Sequence, residues 1–261
     1  MLFQSYIFIL LFFPLCLLGF WGLKRQKLLQ LWLIAFSLWF YGAASPYYLL
    51  LLLGSIAWNY AFFRAIERGI GRVIERVSGS AMERAEYGME RDSSRKRLLL
   101  GIGIAGNLAL LCFFKYFNAI SAGWSQMKGL EDPILQLALP LGISFFTFQQ
   151  IGFLADAYKG EVGACSLREY VLFVSFFPYV SSGPIVNAQE MLPQYRQIGR
   201  QRLDWAKFAG GLYLFALGLS KKVLLADTFG KAVDAGYGNV AGLSGTDAWL
   251  VMLFYTLQLY F

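Results

Sequence analysis

The chain contains no histidine, and that absence narrows its chemistry sharply. Histidine is the side chain whose ordinary pKa lies nearest neutrality, so a chain without it must do general-base work with a shifted carboxylate or lysine, or not at all. Ser-His, Cys-His and His-metal sites are excluded. Cysteine is scarce as well: Cys16, Cys112 and Cys165 have no CxxC or metal spacing, which argues against disulfides and zinc. Charge is thin, at 15% of 261 residues, and the +7 formal balance sits in short blocks between long apolar runs. A nucleic-acid-binding stripe is therefore not expected. With 57% hydrophobic and 18% aromatic residues, the composition is that of a membrane protein.

A bilayer core of about 30 Å takes about 20 mainly apolar residues per helix. Leu2 to Leu23 reads as a retained first helix rather than a signal peptide, because Lys24, Arg25 and Lys27 follow it instead of preceding it. Leu28 to Ala44 and Tyr47 to Phe63 form the next pair, joined by a short turn at Ser45-Pro46. Arg64 to Arg97 carries nine Lys or Arg against six Asp or Glu. With the Lys24 to Lys27 loop it is expected on the cytoplasmic side of a bacterial inner membrane, leaving the N-terminus periplasmic. Within it, Ile66, Ile70, Val73, Ile74 and Val77 recur at helical spacing. They predict either an amphipathic surface helix over 64–77 or a charged continuation of the third helix. Ser78-Gly79-Ser80 and Asp92-Ser93-Ser94 are expected to break the helices.

Leu98 to Phe117 is the next crossing, followed by an outer loop from Asn118 to Asp132, with Pro133 opening the next helix. Ile134 to Ala155 then crosses back with Ser144, Thr147, Gln149 and Gln150 at membrane depth. Polar side chains in hydrocarbon are costly, so these should face protein or a water-filled cavity. Tyr170 to Val186 is interrupted by Pro178 and Ser181-Ser182-Gly183-Pro184. Its flanks, Lys159 and Arg168 before and Arg196, Arg200, Arg202 and Lys207 after, are both basic. The segment is read as a re-entrant pair of half-helices or as a proline-kinked crossing. Phe208 to Leu225 should cross outward with Lys221 and Lys222 at its end, in conflict with the charge rule. A glycine-rich loop follows from Asp227 to Gly245. Thr246 to Phe261 begins another span and stops after about 15 apolar residues, so the chain is expected to be the N-terminal part of a longer protein.

Several features are better explained by structure than by chemistry. The glycines of Gly101-Ile102-Gly103-Ile104-Ala105-Gly106 lie in an apolar span with no preceding strand, which favours helix packing over phosphate binding. Cys165 lacks a base, and Asp156 and Asp227 are placed to pair with Lys159 or Lys222. The aromatics of Phe145-Phe146, Phe148, Phe173 and Phe176-Phe177 read as packing and interfacial anchors. The fold class is all-α, a polytopic transmembrane helical protein with re-entrant or broken helices.

Ordered motifs carry the reading further. The run from Leu139-Pro140-Leu141-Gly142 through Gln149-Gln150, followed by Asp156-Ala157-Tyr158-Lys159-Gly160, resembles the signature segment of the bacterial membrane-bound O-acyltransferase (MBOAT) family. Phe173-Val174-Ser175-Phe176-Phe177-Pro178, Ser182-Gly183-Pro184-Ile185-Val186 and Leu192-Pro193-Gln194-Tyr195 are similar to it too. So are Gly218-Leu219-Ser220-Lys221-Lys222-Val223-Leu224-Leu225-Ala226-Asp227 and the region from Arg97 to Asn118. The first 94 residues agree mainly in hydropathy.

Within the family the likeness is to the branch that O-acetylates alginate and other exported polysaccharides. It implies a single membrane domain over 1–261: three helices over 1–63, a basic cytoplasmic loop over 64–97, and a motif-bearing tunnel region over 98–261. Through the tunnel a cytoplasmic acyl donor such as acetyl-CoA, a substrate rather than a bound cofactor, would meet hydroxyls of a polysaccharide, directly or through periplasmic acetylation proteins. Transfer of D-alanine from a carrier protein to teichoic acid, and a non-catalytic transporter or scaffold, are the alternatives. The family's histidine comes downstream of Gln258-Leu259-Tyr260-Phe261. No catalytic residue is therefore carried over, and the chain is expected to be inactive alone. Ser144, Gln149, Gln150, Ser182, Gly183 and Pro184 are candidate tunnel-lining residues; Asp156, Lys221, Lys222 and Asp227 are candidate structural ones. No metal ligand is expected.

Overall fold

The computed structural model describes residues 3–44, 46–78, 82–128, 137–181, 183–200 and 204–261, and among them every regular element is helical. Ser45, Gly79, Ser80, Pro133, Ser182 and Arg202 lie outside the described residues. The chain forms two compact units, Met1–Gln201 and Arg202–Phe261.

In the first unit, α1 (Phe8–Gly22) opens with a π turn, Ser5 Oγ accepting from Phe8 N at 3.2 Å. It is shorter than the expected Leu2 to Leu23. Next come α2 (Gln26–Ala44) and α3 (Pro46–Ser78), with Pro46 at the first helical position, where its missing N–H costs nothing. α3 runs unbroken past Arg64 to Ser78, so the charged segment continues the third helix.

Two expected breaks are overturned in α4 (Met82–Met127). The helix passes through Asp92-Ser93-Ser94, since the helix penalty of Asp and Ser, roughly 0.5 kcal/mol each, is small within so long a helix. It also continues ten residues beyond Phe117. Asn118, rather than ending the helix, uses its amide to hold the incoming chain: Nδ2 donates to Leu137 O at 2.7 Å and Oδ1 accepts from Leu137 N at 2.8 Å.

α5 spans Ile143–Lys159, not Ile134 to Ala155. Leu137 to Pro140 is non-helical, and Gly142 adopts φ +68°, a left-handed geometry that starts the helix late. The freed carbonyls are held by protein groups, with Tyr48 Oη donating to Ala138 O and Tyr41 Oη to Leu141 O at 3.0 Å.

The interrupted segment forms α6 (Leu167–Ser175) and α7 (Phe177–Val180), separated at Phe176, and then α8 (Ala188–Gln197). α6 starts at a capping box in which Ser166 and Glu169 satisfy each other's backbone N–H groups. The end of α7 reaches the start of α5, where a Cβ on Gly142 would lie 2.0 Å from Val180 O. After an extended stretch, α8 returns beside the start of the segment: Gln189 Nε2 donates to Glu161 at 3.0 Å and Arg196 Nε to Glu169 at 2.9 Å. The start of the segment and Arg196 after it thus meet at one end of the unit.

That end also gathers the other basic elements. Gln26, next to Lys24, Arg25 and Lys27, donates to Tyr195 O and accepts from Gly199 N at 2.7 Å, and Tyr60 Oη, one turn before Arg64, donates to Cys165 O at 3.3 Å. Tyr41, Tyr48 and Asn118 lie at the opposite end with Leu137 to Gly142. An aromatic core, Phe8, Phe12, Phe40 and Phe177, joins α1, α2 and α7. α4 packs through glycine: a Cβ on Gly103 would stand 2.9 Å from Leu154, and one on Gly106 2.8 Å from Trp58.

In the second unit, Asp204 caps α9 (Trp205–Gly238) by accepting from Ala206 N and Lys207 N. α9 is continuous for 34 residues, with a π turn over Lys221–Ala226, and it overturns the expected loop from Asp227. Two of its glycines serve close packing on α10 (Gly245–Tyr260) instead. A Cβ on Gly236 would lie 2.4 Å from Val251, and one on Gly230 3.1 Å from Gln258. α10 starts at a second capping box, Ser244 with Asp247. Among the described residues, four helical stretches are long and apolar enough to cross a membrane: Gln26–Ala44, Pro46–Arg68, Ser94–Met127 and Trp205–Gly238.

Candidate functional site

A line of buried polar groups runs through the first unit from the basic end. At that end a cleft of about 500 Å³ is lined by Tyr60, Arg64, Ala164, Cys165, Ser166, Leu167, Glu169 and Arg196. Arg196 is held across its mouth, with Nε on Glu169 at 2.9 Å and Nη2 on Ala164 O. Partial burial raises the Glu169 carboxyl, but the Arg196 guanidinium and the Ser166 donors outweigh it and leave the group below the ordinary carboxylate range. The same pairing raises Arg196. Cys165 is buried, and its thiol is pushed up to about 12, chiefly by desolvation.

Tyr170 lies fully buried beneath this cleft. Its ring meets Tyr60 at 5.5 Å and Phe153 at 4.7 Å, and its hydroxyl donates to Gln150 Oε1 at 3.2 Å. Gln150 Nε2 in turn donates to Ser55 Oγ at 2.9 Å. The neighbouring amide serves the broken segment: Gln149 Nε2 donates to Phe173 O at 3.0 Å, and Tyr179 Oη donates to the same carbonyl at 2.9 Å. Tyr179 also shares a hydrogen bond with Tyr195 Oη. Tyr195 O accepts from Gln26 and Gln30, tying α8 to α2. Phe173 lies two residues before the helix ends, so its carbonyl has no intrahelical donor and takes both side chains instead. Among the described residues, the buried Thr147 hydroxyl has no partner.

Of the candidate lining residues, Gln149 and Gln150 are buried and hydrogen-bonded, Ser144 is half-buried and Pro184 is exposed. Gly183 packs on Tyr179, where a Cβ would approach to 2.2 Å, and Ser182 lies outside the described residues. None of the described candidates lines the 500 Å³ cleft. Asp156 is half-buried near the end of α5, and its carbonyl accepts from Glu161 N at 2.9 Å. In the second unit Lys222 Nζ contacts both Asp227 oxygens, at 2.6 and 2.8 Å, whereas Lys221 is exposed beside it. The lysines stand mid-helix, not at the expected helix end.

The cleft and the tyrosines beneath it did not come from sequence reasoning. Tyr60, Cys165 and Arg196 are far apart in the chain and carry no shared motif, although Ser166-x-x-Glu169 was readable as a capping box. Among the described residues no group of three His, Cys, Asp or Glu could hold a metal ion.

Comparison with known proteins gives relatives that match over the whole of this chain. The chain is 34% identical to the peptidoglycan O-acetyltransferase of Helicobacter pylori over 290 residues, covering all of this chain and 51% of that protein. It is 34% identical over 267 residues to the probable alginate O-acetylase AlgI of Pseudomonas putida, covering all of this chain and 50% of that protein. A teichoic acid D-alanyltransferase of Lacticaseibacillus rhamnosus matches over 90 residues at 27% identity, 34% of this chain and 22% of that one. The chain thus spans about half the length of the curated O-acetylase relatives it matches. No family model matches the chain, and no solved structure is a significant match.

Proposed function

The chain belongs to the membrane-bound O-acyltransferase family, and from that premise we propose that it forms the donor-side part of an O-acetyltransferase acting on an exported polysaccharide. The observation that carries this reading is 34% identity, over the whole of this chain and about half of each relative, to two kinds of O-acetylase, one named for peptidoglycan and one for alginate. The cleft at the basic end supports it. Under the positive-inside rule that end faces the cytoplasm of the inner membrane, where an acyl thioester such as acetyl-CoA would arrive.

In the transfer itself, the hydroxyl oxygen of the polymer bonds to the acetyl carbon, the carbon–sulfur bond breaks, and the hydroxyl proton leaves with the thiol. We place no residue of this chain at that step. Its contribution is the interior that holds the re-entrant segment α6–α7, with Gln149 and Gln150 in the wall. The acetyl group passes to the polymer directly or through periplasmic acetylation proteins.

D-Alanyl transfer is the second reading, favoured by the shorter match to teichoic acid D-alanyltransferases. The full-length protein in sealed vesicles, supplied with radiolabelled acetyl-CoA outside and either polyuronate or peptidoglycan inside, should label the polymer. Label transferred only from a D-alanyl carrier protein would replace the first reading with the second, and no transfer from either donor would leave the scaffold alternative.

A further inference from the structure

Two adjacent lysines at the middle of α9 differ in a way that the pairing of Lys222 makes visible. A bilayer core takes about 20 helical residues, and α9 has 34. Lys221 and Lys222 stand at its centre, with as many helical residues after them as the 16 before. Every run of about 20 residues within this helix therefore includes both. No register of the helix in the membrane removes them from the spanning part; the extreme registers bring them only to its edge.

A cation there needs a counter-charge. Lys222 has one: the π turn over Lys221–Ala226 widens the helix and brings Asp227, five residues on, beneath its ammonium, with both carboxylate oxygens within 2.8 Å. Asp227 is fully engaged by that contact. Lys221 is exposed, and among the described residues it has no acidic partner. Lys221, Lys222 and Asp227 together leave one net positive charge at the middle of the helix, carried by the exposed Lys221.

We propose that Lys221 is an anion-binding residue that holds a phosphate group, while Asp227 keeps Lys222 from competing for it. Phosphate is the chemistry this position meets in either setting. At the edge of the membrane it is that of a lipid headgroup; deeper, in a polar interior, it is that of a soluble phosphate ester such as coenzyme A. The inference needs only the membrane placement of α9 and stands apart from the acyl-transfer reading.

The test uses the full-length protein in an uncharged detergent, titrated separately with phosphatidylglycerol and with coenzyme A, with diacylglycerol as the phosphate-free control. Bound molecules are counted by native mass spectrometry. Lys221→Gln should weaken binding of at least one phosphate-bearing ligand by about tenfold, the scale of one charge-assisted hydrogen bond, and Lys221→Arg should keep it. Loss for phosphatidylglycerol assigns the site to a headgroup, and loss for coenzyme A assigns it to the soluble ester. Unchanged binding of both, or an equal loss for diacylglycerol, overturns the proposal. Should Lys221→Gln fail to accumulate, Asp227→Asn decides: by freeing Lys222 it should tighten phosphate binding, and unchanged or weaker binding overturns the proposal.

Discussion

Asn59 and Asn107 exchange their side-chain amides across α3 and α4, Asn59 Nδ2 donating to Asn107 Oδ1 at 3.0 Å and Asn107 Nδ2 to Asn59 Oδ1 at 2.6 Å. Each amide also donates one turn back along its own helix, to Ser55 O and Gly103 O. Both side chains are buried, so removing one leaves the other with an unpaired amide in apolar surroundings. Asn107→Leu should lower stability by about 1–2 kcal/mol, and Asn59→Leu with Asn107→Leu together should cost less than the sum of the single changes. A double-mutant cycle on thermal unfolding in detergent measures this.

Gly142 is required by both backbone and space. Its φ of +68° costs another residue about 1–2 kcal/mol, and a Cβ would stand 2.0 Å from Val180 O, against backbone that cannot swing away. Gly142→Ala should reduce the membrane level of the folded protein or lower its melting temperature by several degrees. Gly152→Ala, in the same α5 but with open space around its Cβ, should be neutral or slightly stabilising.

The Glu169–Arg196 contact carries a pH dependence of fixed sign. The folded-state pKa of Glu169 lies below its unfolded value, so its contribution is complete above the ordinary carboxylate range and is lost as pH falls through the lowered value. Glu169→Gln should be less stable than the parent at neutral pH, and the two should converge at low pH. Melting temperatures followed from pH 7 down to about pH 3 would show parallel curves if the carboxylate had no such part.

Cys165 lines the cleft yet is a poor nucleophile. With its thiol pushed up to about 12, on the order of one molecule in ten thousand is thiolate at pH 8. Iodoacetamide at pH 8 should leave Cys165 unmodified in the folded protein by peptide mass analysis, and Cys165→Ala should keep acyl transfer. Rapid alkylation would give this thiol a different environment from the buried one described.

The sequence makes legible whatever depends on hydropathy and local capping. The existence of a broken segment within 170–186, the placement of Gln149 and Gln150 in protein, and the pairing of Lys222 with Asp227 follow from residue type and spacing, although the break falls at Phe176, just before the expected Pro178. What escapes is decided by tertiary contact. Glycines 230 and 236 read as a loop until α10 is packed against them, and Asn118 reads as a terminator until Leu137 takes its amide. The late start of α5 depends on Tyr41 and Tyr48, nearly 100 residues earlier, satisfying carbonyls that a helix would otherwise have used. The cleft is assembled from Tyr60, Cys165 and Arg196, whose meeting no local pattern encodes.

Gln149 offers the sharpest separation of structural from functional roles. Its amide and the Tyr179 hydroxyl both donate to Phe173 O, so Gln149→Leu leaves that carbonyl with one donor and costs little stability. Gln149→Leu in the full-length protein should therefore keep its membrane level while acyl transfer falls, roughly 10-fold if losing the hydrogen bond to Phe173 O lets the broken segment shift in the tunnel wall. Gln149→Glu, of nearly the same shape, should not restore the rate, because a carboxylate cannot donate to Phe173 O. Transfer at the parental rate from Gln149→Leu would reduce this residue to packing, and a fall in membrane level matching the fall in rate would do the same.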